Sequence, residues 1–252
     1  METQTNLPEC WKEFYDVLSA GIDRVILFGP PGTGKTFAGL TAGNVTAGAH
    51  RLICTEDMTQ ADVTGCFMPN AQGTWNWQVG AAIKAWEGDG LNGGRLVIDE
   101  IDRASGDTES ALLAVTDTVQ SAIWEHPETG RKVRPLPGYS VIMTTNVEDM
   151  RDLPTALKDR FPVAIRINTP HPDALLALPE DLRAAAAASA DANAGRRFSI
   201  RAFQSYAQLR GSLGAERAAK VIFGAGSVDQ SASTHHARSI RWRRNQSRHP
   251  RT

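Results

Sequence analysis

Apolar residues along the chain fall into a helical pattern at the start, a strand pattern in the middle and a second helical pattern at the end. Trp11, Phe14, Tyr15 and Leu18 recur at spacings of three and four, which predicts an amphipathic helix that caps a domain. Short β-rich runs follow at 24–28, 51–55, 95–99, 139–145 and 163–167. Stretches 36–46, 79–87 and 108–119 are long enough for crossover helices between them, so the alternation predicts a mainly parallel sheet covered on both faces. Two intervals interrupt this rhythm. Segment 55–78 is polar and glycine-containing with two tryptophans, and 121–137 predicts two short strands around Pro127, Glu128, Thr129 and Gly130. After Pro170, His171 and Pro172 the strand signals stop, and 173–190, 200–209 and 215–223 predict helices. The expected organisation is an N-terminal helix over 1–20, an α/β domain over 21–170, a small all-helical domain over 171–224 and a basic, disordered tail over 225–252.

Composition narrows the class without naming it. With 41% hydrophobic and 22% charged residues among 252, the chain has the make-up of an ordinary globular protein. No apolar run approaches the roughly 18 residues that a membrane span needs, and the first ten residues lack a basic stretch followed by an apolar one. The cytoplasm is therefore the expected location, with no membrane partner. Cys10, Cys54 and Cys66 are an odd number without CxxC spacing, which points to neither a disulfide framework nor a zinc site. The net charge of −1 hides an asymmetry. Six of the 27 basic residues lie in 230–252 with no acid among them, which leaves the rest of the chain at −7. Nonspecific nucleic-acid binding is thus disfavoured for the body, while the tail carries the charge to contact phosphates.

The chemistry is concentrated in two motifs. Gly29, Pro30, Pro31, Gly32, Thr33, Gly34, Lys35 and Thr36 satisfy GxxxxGK[ST] between an apolar strand and an expected helix. Glycines at these spacings let backbone N–H groups turn inward around phosphate oxygens, Lys35 reaches the β and γ phosphates, and Thr36 is placed to ligate Mg²⁺. Lys35 is expected to stand exposed in the loop, so that its removal abolishes ATP binding and barely moves stability. The second motif, residues 96–100, is an apolar strand ending in two acids. Beside a phosphate loop, Asp99 has the task of holding Mg²⁺ through its water shell and Glu100 that of polarising an attacking water, a pairing that indicates hydrolysis. The nearest approach to a guanine-reading Asn-Lys-x-Asp is residues 146–149, which lack the lysine, so GTP is disfavoured. Neither HExxH nor GxSxG occurs.

In this order, residues 29–36, 58–65 with the aromatic 73–77, 96–104, 141–146, 153–161 and 198–201 resemble the AAA+ ATPases, and within them the MoxR-like and dynein-related group, over roughly 20–224. The resemblance implies a doubly wound P-loop α/β domain followed by a small all-helical lid, with ATP and Mg²⁺ as ligands. It assigns Asn146 as sensor 1, orienting the attacking water. By the same resemblance Arg160 is an arginine finger reaching a neighbouring subunit's γ-phosphate, and Arg201 is sensor 2 on the lid. It further implies a homo-oligomeric, hexameric ring that remodels a partner protein, such as one with a von Willebrand A domain, and it makes the intervals 55–78 and 121–137 partner-contact loops. Trp75, Trp77 and Trp124 there either grip a polypeptide or pack locally. Asp102 stands where many relatives have asparagine, with no role evident from sequence. Two alternatives are a nucleic-acid-remodelling motor, supported by the tail alone, and an ATP-dependent assembly switch with little turnover.

Overall fold

The computed structural model describes residues 7–104, 106–190 and 197–224, leaving the basic tail outside the described residues. The chain divides into two compact units, Met1–Pro172 and Asp173–Thr252.

In the first unit, α1 (Glu9–Ser19) leads into β1 (Arg24–Phe28), α2 (Lys35–Thr41) and β2 (Ala49–Ile53). The 55–78 interval then forms a short helix, α3 (Gln60–Thr64), and a hairpin of β3 (Gly65–Pro69) and β4 (Trp75–Val79). After α4 (Ala81–Glu87), β5 (Arg95–Asp99) and α5 (Gly106–Val115) comes a second hairpin, β6 (Trp124–Glu125) and β7 (Lys132–Val133). β8 (Ser140–Thr144), α6 (Thr155–Arg160) and β9 (Val163–Arg166) complete the unit. The five long-range strands form one parallel sheet in the order β2-β5-β8-β1-β9. This is the doubly wound α/β fold expected from the strand and helix alternation.

Alternation along each strand explains why both faces are covered. Val25, Leu27, Ile142 and Ile165 pack with Trp11 and Phe14 of α1, Ala38 of α2 and Ala42 just beyond it. Ile26, Leu96, Ile98, Val141 and Met143 point the other way, against Ile83 and Trp86 of α4, Leu112 and Val115 of α5 and Leu157 of α6. Strands buried on both faces read as near-continuous apolar runs, as 24–28 and 95–99 do. Register is set by the same packing: Ile98 lies opposite Met143, and Ile53 opposite Asp99. Several expected elements are shorter or shifted; α5, for one, spans Gly106–Val115 rather than 108–119. β2 begins and ends two residues before the apolar run suggests, because Ala49 and His50 pair with Arg95 and Leu96. α2 stops at Thr41 rather than 46, with Gly43 at φ +68° just beyond it.

The second unit is helical: α7 (Pro172–Leu176), α8 (Glu180–Ala190), α9 (Ile200–Leu213) and α10 (Ala215–Phe223). The expected helix over 173–190 is two helices because Pro179 separates α7 from α8. Leu178, Leu182, Ala186, Ile200 and Phe203 form its core, closed by Phe223 against Phe198, Phe203 and Tyr206. Among the described residues no helix is long and apolar enough to cross a membrane.

Candidate active site

The carboxyl ends of β1, β5 and β8 meet at one edge of the sheet, and each delivers a piece of the site. Beyond β1 the chain turns through 29–34 into α2, with Gly29, Gly32 and Gly34 at φ of +119°, +77° and +102°. A Cβ on Gly29 would lie 2.8 Å from the carbonyl oxygen of Ile167, so glycine is required there by space as well as by torsion. The loop is braced from outside. Thr33 O accepts the His171 N–H at 3.1 Å, His171 Nε2 lies 3.1 Å from the Tyr15 hydroxyl, and Trp11 meets the His171 ring edge-on.

Lys35 departs from the sequence-based expectation. It is not exposed: only 5% of its surface reaches solvent, and Nζ donates to the carbonyls of Gly29 and Pro30, both at 2.8 Å, and to Asn146 Oδ1 at 3.2 Å. The loop curls around the lysine stem, so the carbonyls of its first two residues face the ammonium. Burial lowers the Lys35 pKa from its ordinary 10.5 to about 8, against the opposing pull of Asp99, Glu148 and Asp102.

Asp99, the last residue of β5, is buried and fully engaged. Its Oδ1 accepts from Thr36 Oγ1 at 2.9 Å and from the Thr144 hydroxyl, and its Oδ2 takes Arg51 Nε at 3.0 Å together with Arg51 Nη2. Burial alone would raise this carboxyl, yet Thr144, Arg51 and Thr36 outweigh it and hold Asp99 below the usual carboxylate range. Thr36 and Asp99 form a pair of hard oxygen donors. Among the described residues no group of three or more His, Cys, Asp or Glu could hold a metal ion. That donor set fits Mg²⁺, which takes one or two protein oxygens and completes its shell with phosphates and water.

The next residue, Glu100, is the one non-glycine with positive φ among the described residues, at φ 57°, ψ 45°. This left-handed turn costs roughly 1–2 kcal/mol for an ordinary residue and bends the chain out of β5 into a single 3₁₀ turn, Ile101–Arg103. Arg103 Nε contacts the Glu100 carboxylate at 3.1 Å. The same turn places Asp102 Oδ1 2.7 Å from the Thr145 hydroxyl. Asp102 therefore steadies the segment that carries Asn146, a role that sequence did not reveal. Cys54 next to β2 has its thiol pushed up to about 12 by burial, with Asp99, Asp102 and Glu100 adding to the effect, so it is no nucleophile.

The phosphate loop, Asp99, Glu100 and Asn146 are thus brought together, and Arg160 makes no hydrogen bond or ion pair with them among the described residues. Arg160 ends α6 and donates through Nη1 to Ala156 O at 3.3 Å, while its Nε is buried without a partner among the described residues. Arg201, the second residue of α9, is exposed and belongs to the second unit. In the two hairpins Trp77 packs 5.8 Å from Trp124 and 5.1 Å from Phe67, so these rings pack on one another, whereas Trp75 is 63% exposed. Sequence reasoning missed Arg51 and Thr144. An arginine inside the apolar run 51–54 and a threonine ending β8 were the available signals.

A family model described as AAA domain (dynein-related subfamily) matches residues 24–161, which includes the phosphate loop, Asp99, Glu100, Asn146 and Arg160. Among solved structures, one of a candidate ATPase from Cytophaga hutchinsonii ATCC 33406 aligns at 23% identity and a TM-score of 0.45, over 66% of this chain and 48% of that one. The chain thus spans about half the length of that relative. No curated protein matches the chain.

Proposed function

Because the chain belongs to the dynein-related AAA family, we propose that it hydrolyses ATP with Mg²⁺ and, as a homo-oligomeric ring, uses the cycle to remodel a partner protein. The observation that carries the catalytic part is the Thr36 hydroxyl on the Asp99 carboxylate at 2.9 Å, with Lys35 Nζ bound to Asn146 beside it, at the carboxyl ends of three parallel strands. Crevices at the carboxyl ends of such strands are where open α/β sheets bind ligands.

The residues divide the work. Backbone N–H groups of 29–36 and the Lys35 ammonium bind the β and γ phosphates, Lys35 exchanging its loop carbonyls for phosphate oxygens. Thr36 and Asp99 hold the Mg²⁺, which neutralises charge on those oxygens when bound. Glu100, held out of line with β5 by its left-handed backbone, accepts a proton from the attacking water, and Asn146 orients that water. Arg160 serves a neighbouring copy's γ-phosphate, and Arg201 couples the helical unit to nucleotide state. The ring is a hexamer in the cytoplasm, with a client such as a von Willebrand A domain protein. The nucleic-acid alternative rests on the tail alone, which lies outside the described residues.

Glu100→Gln tests the assignment. The amide keeps the shape and cannot act as a base, so ATP binding should stay near wild type while turnover falls by at least about a hundredfold. Turnover within about threefold of wild type would place the base elsewhere. A wild-type chain that binds ATP and assembles without turnover would establish the switch reading instead.

A further inference from the structure

Arg51 is the charged residue of the site that the proposed reaction leaves without a task. It lies on the edge strand β2, two residues before Ile53, the register partner of Asp99, and so shares the face on which the Asp99 carboxylate stands. Two of its nitrogens, Nε and Nη2, converge on one oxygen, Asp99 Oδ2. The other oxygen is filled by the hydroxyls of Thr36 and Thr144. Arg51 thus sets its positive charge directly on the carboxylate that the proposed reaction assigns to the metal.

The two partners are unequal. The Asp99 side chain is 6% exposed and anchored by its hydroxyl donors, while the Arg51 side chain is 41% exposed on a long flexible stem. When the pair separates, the arginine moves into water and the carboxylate stays.

We propose that Arg51 is a built-in counter-cation for Asp99, a positioning residue that keeps the site from binding a divalent cation by itself. A bare Mg²⁺ held at Asp99, through water or directly, would meet the charge of the guanidinium beside it. A cation arriving with a triphosphate brings the negative charge that offsets this repulsion. Arg51 thereby makes cation and nucleotide binding interdependent, so that the metal enters with its substrate. This rests on the reading of Asp99 as the metal carboxylate.

The test measures Mn²⁺ binding to the full chain by electron paramagnetic resonance, with and without ATP, in wild type, Arg51→Gln, Arg51→Met, Arg51→Lys and Asp99→Asn. Mn²⁺ shares the oxygen preference of Mg²⁺. Without ATP, removing one positive charge from beside the site should tighten Mn²⁺ binding by at least about tenfold. Either neutral variant that folds provides this measurement, and Arg51→Lys should stay near wild type. With ATP, the neutral variants should lie within about threefold of wild type. Neutral variants that bind Mn²⁺ no more tightly than wild type without ATP, alongside a weakened Mn²⁺–ATP complex in Asp99→Asn, overturn the role of Arg51 alone. Arg51→Lys binding as tightly as Arg51→Gln overturns it too, because charge would then not matter. An Asp99→Asn chain that binds Mn²⁺–ATP like wild type overturns the metal assignment and the proposal with it.

Discussion

Lys35 should make stability depend on pH in a way that identifies it. Its ammonium is buried against the carbonyls of Gly29 and Pro30, and burial brings its pKa down from 10.5 to about 8. Between those two values the unfolded chain binds more protons at this side chain than the fold does, so stability rises with pH across the window. At pH 7 burying Lys35 costs the fold ~3 kcal/mol relative to an unperturbed lysine, and by pH 9.5 that cost has fallen to ~1 kcal/mol. Lys35→Met keeps the length of the stem and removes the charge. Its loss of hydrogen bonds to two buried carbonyls, about 1 kcal/mol each, does not vary with pH. Wild type should therefore gain about 2 kcal/mol on Lys35→Met between pH 7 and pH 9.5. Urea denaturation of both chains without nucleotide, at pH 7, 8 and 9.5, measures the difference directly, since other titrating groups cancel in it. Stability profiles that run parallel to within about 0.5 kcal/mol would show that burial does not perturb Lys35. ATP binding should be abolished in the variant throughout.

Gly39 of α2 faces the sheet so closely that a Cβ would lie 3.2 Å from Val97 Cγ1 and 3.3 Å from Ile142 Cγ2. Gly39→Ala should consequently lower stability by about 1 kcal/mol although alanine is the better helix former, and a stabilised variant in urea denaturation would show that the helix can lift off the sheet. Arg160→Ala should hydrolyse ATP at least about a hundredfold more slowly even when assembled, and mixing it with Glu100→Gln should restore turnover at interfaces that pair an intact Glu100 with an intact Arg160. Mixed assemblies as inactive as either parent, after subunit exchange is verified by mass, would remove Arg160 from catalysis.

The fold was legible where burial is two-sided. Runs such as 24–28 and 95–99 stay apolar whichever way their side chains point, and the stretches between them have room for crossover helices. The sheet order was not legible from spacing, because it depends on which strand edges meet across the chain, as when Val141 pairs with both Arg24 and Leu96. The loop and the two acids at the end of β5, Asp99 and Glu100, were legible because their chemistry demands fixed residue types at fixed spacing. Arg51, Thr144 and Asp102 were not, for a common reason: each acts on a residue more than 40 positions away, through a strand register or a turn that no local pattern encodes. The burial of Lys35 escaped for another. The phosphate-loop pattern says what the lysine reaches for, and the positive φ angles that form the loop also turn its own carbonyls onto the ammonium.

These contacts share a further property: the charges at the site are matched within the chain. Lys35 has two carbonyls and Asn146, Asp99 has Arg51 and two hydroxyls, Glu100 has Arg103, and Asp102 has Thr145. A ligand entering such a site exchanges partners rather than meeting waiting charges, so its affinity is a difference between two sets of interactions. A phosphate alone can satisfy Lys35 but adds negative charge beside Asp99 and Glu100. A divalent cation alone would be drawn to Asp99 but would meet the charges of Arg51 and Lys35. A metal–triphosphate complex offers both partners at once, and each half relieves the repulsion that the other would meet. Selectivity for the complex over its parts then follows from the pairing of Lys35 and Asp99 with protein groups, and weakening either set of partners should change that selectivity before it changes the chemistry at Glu100.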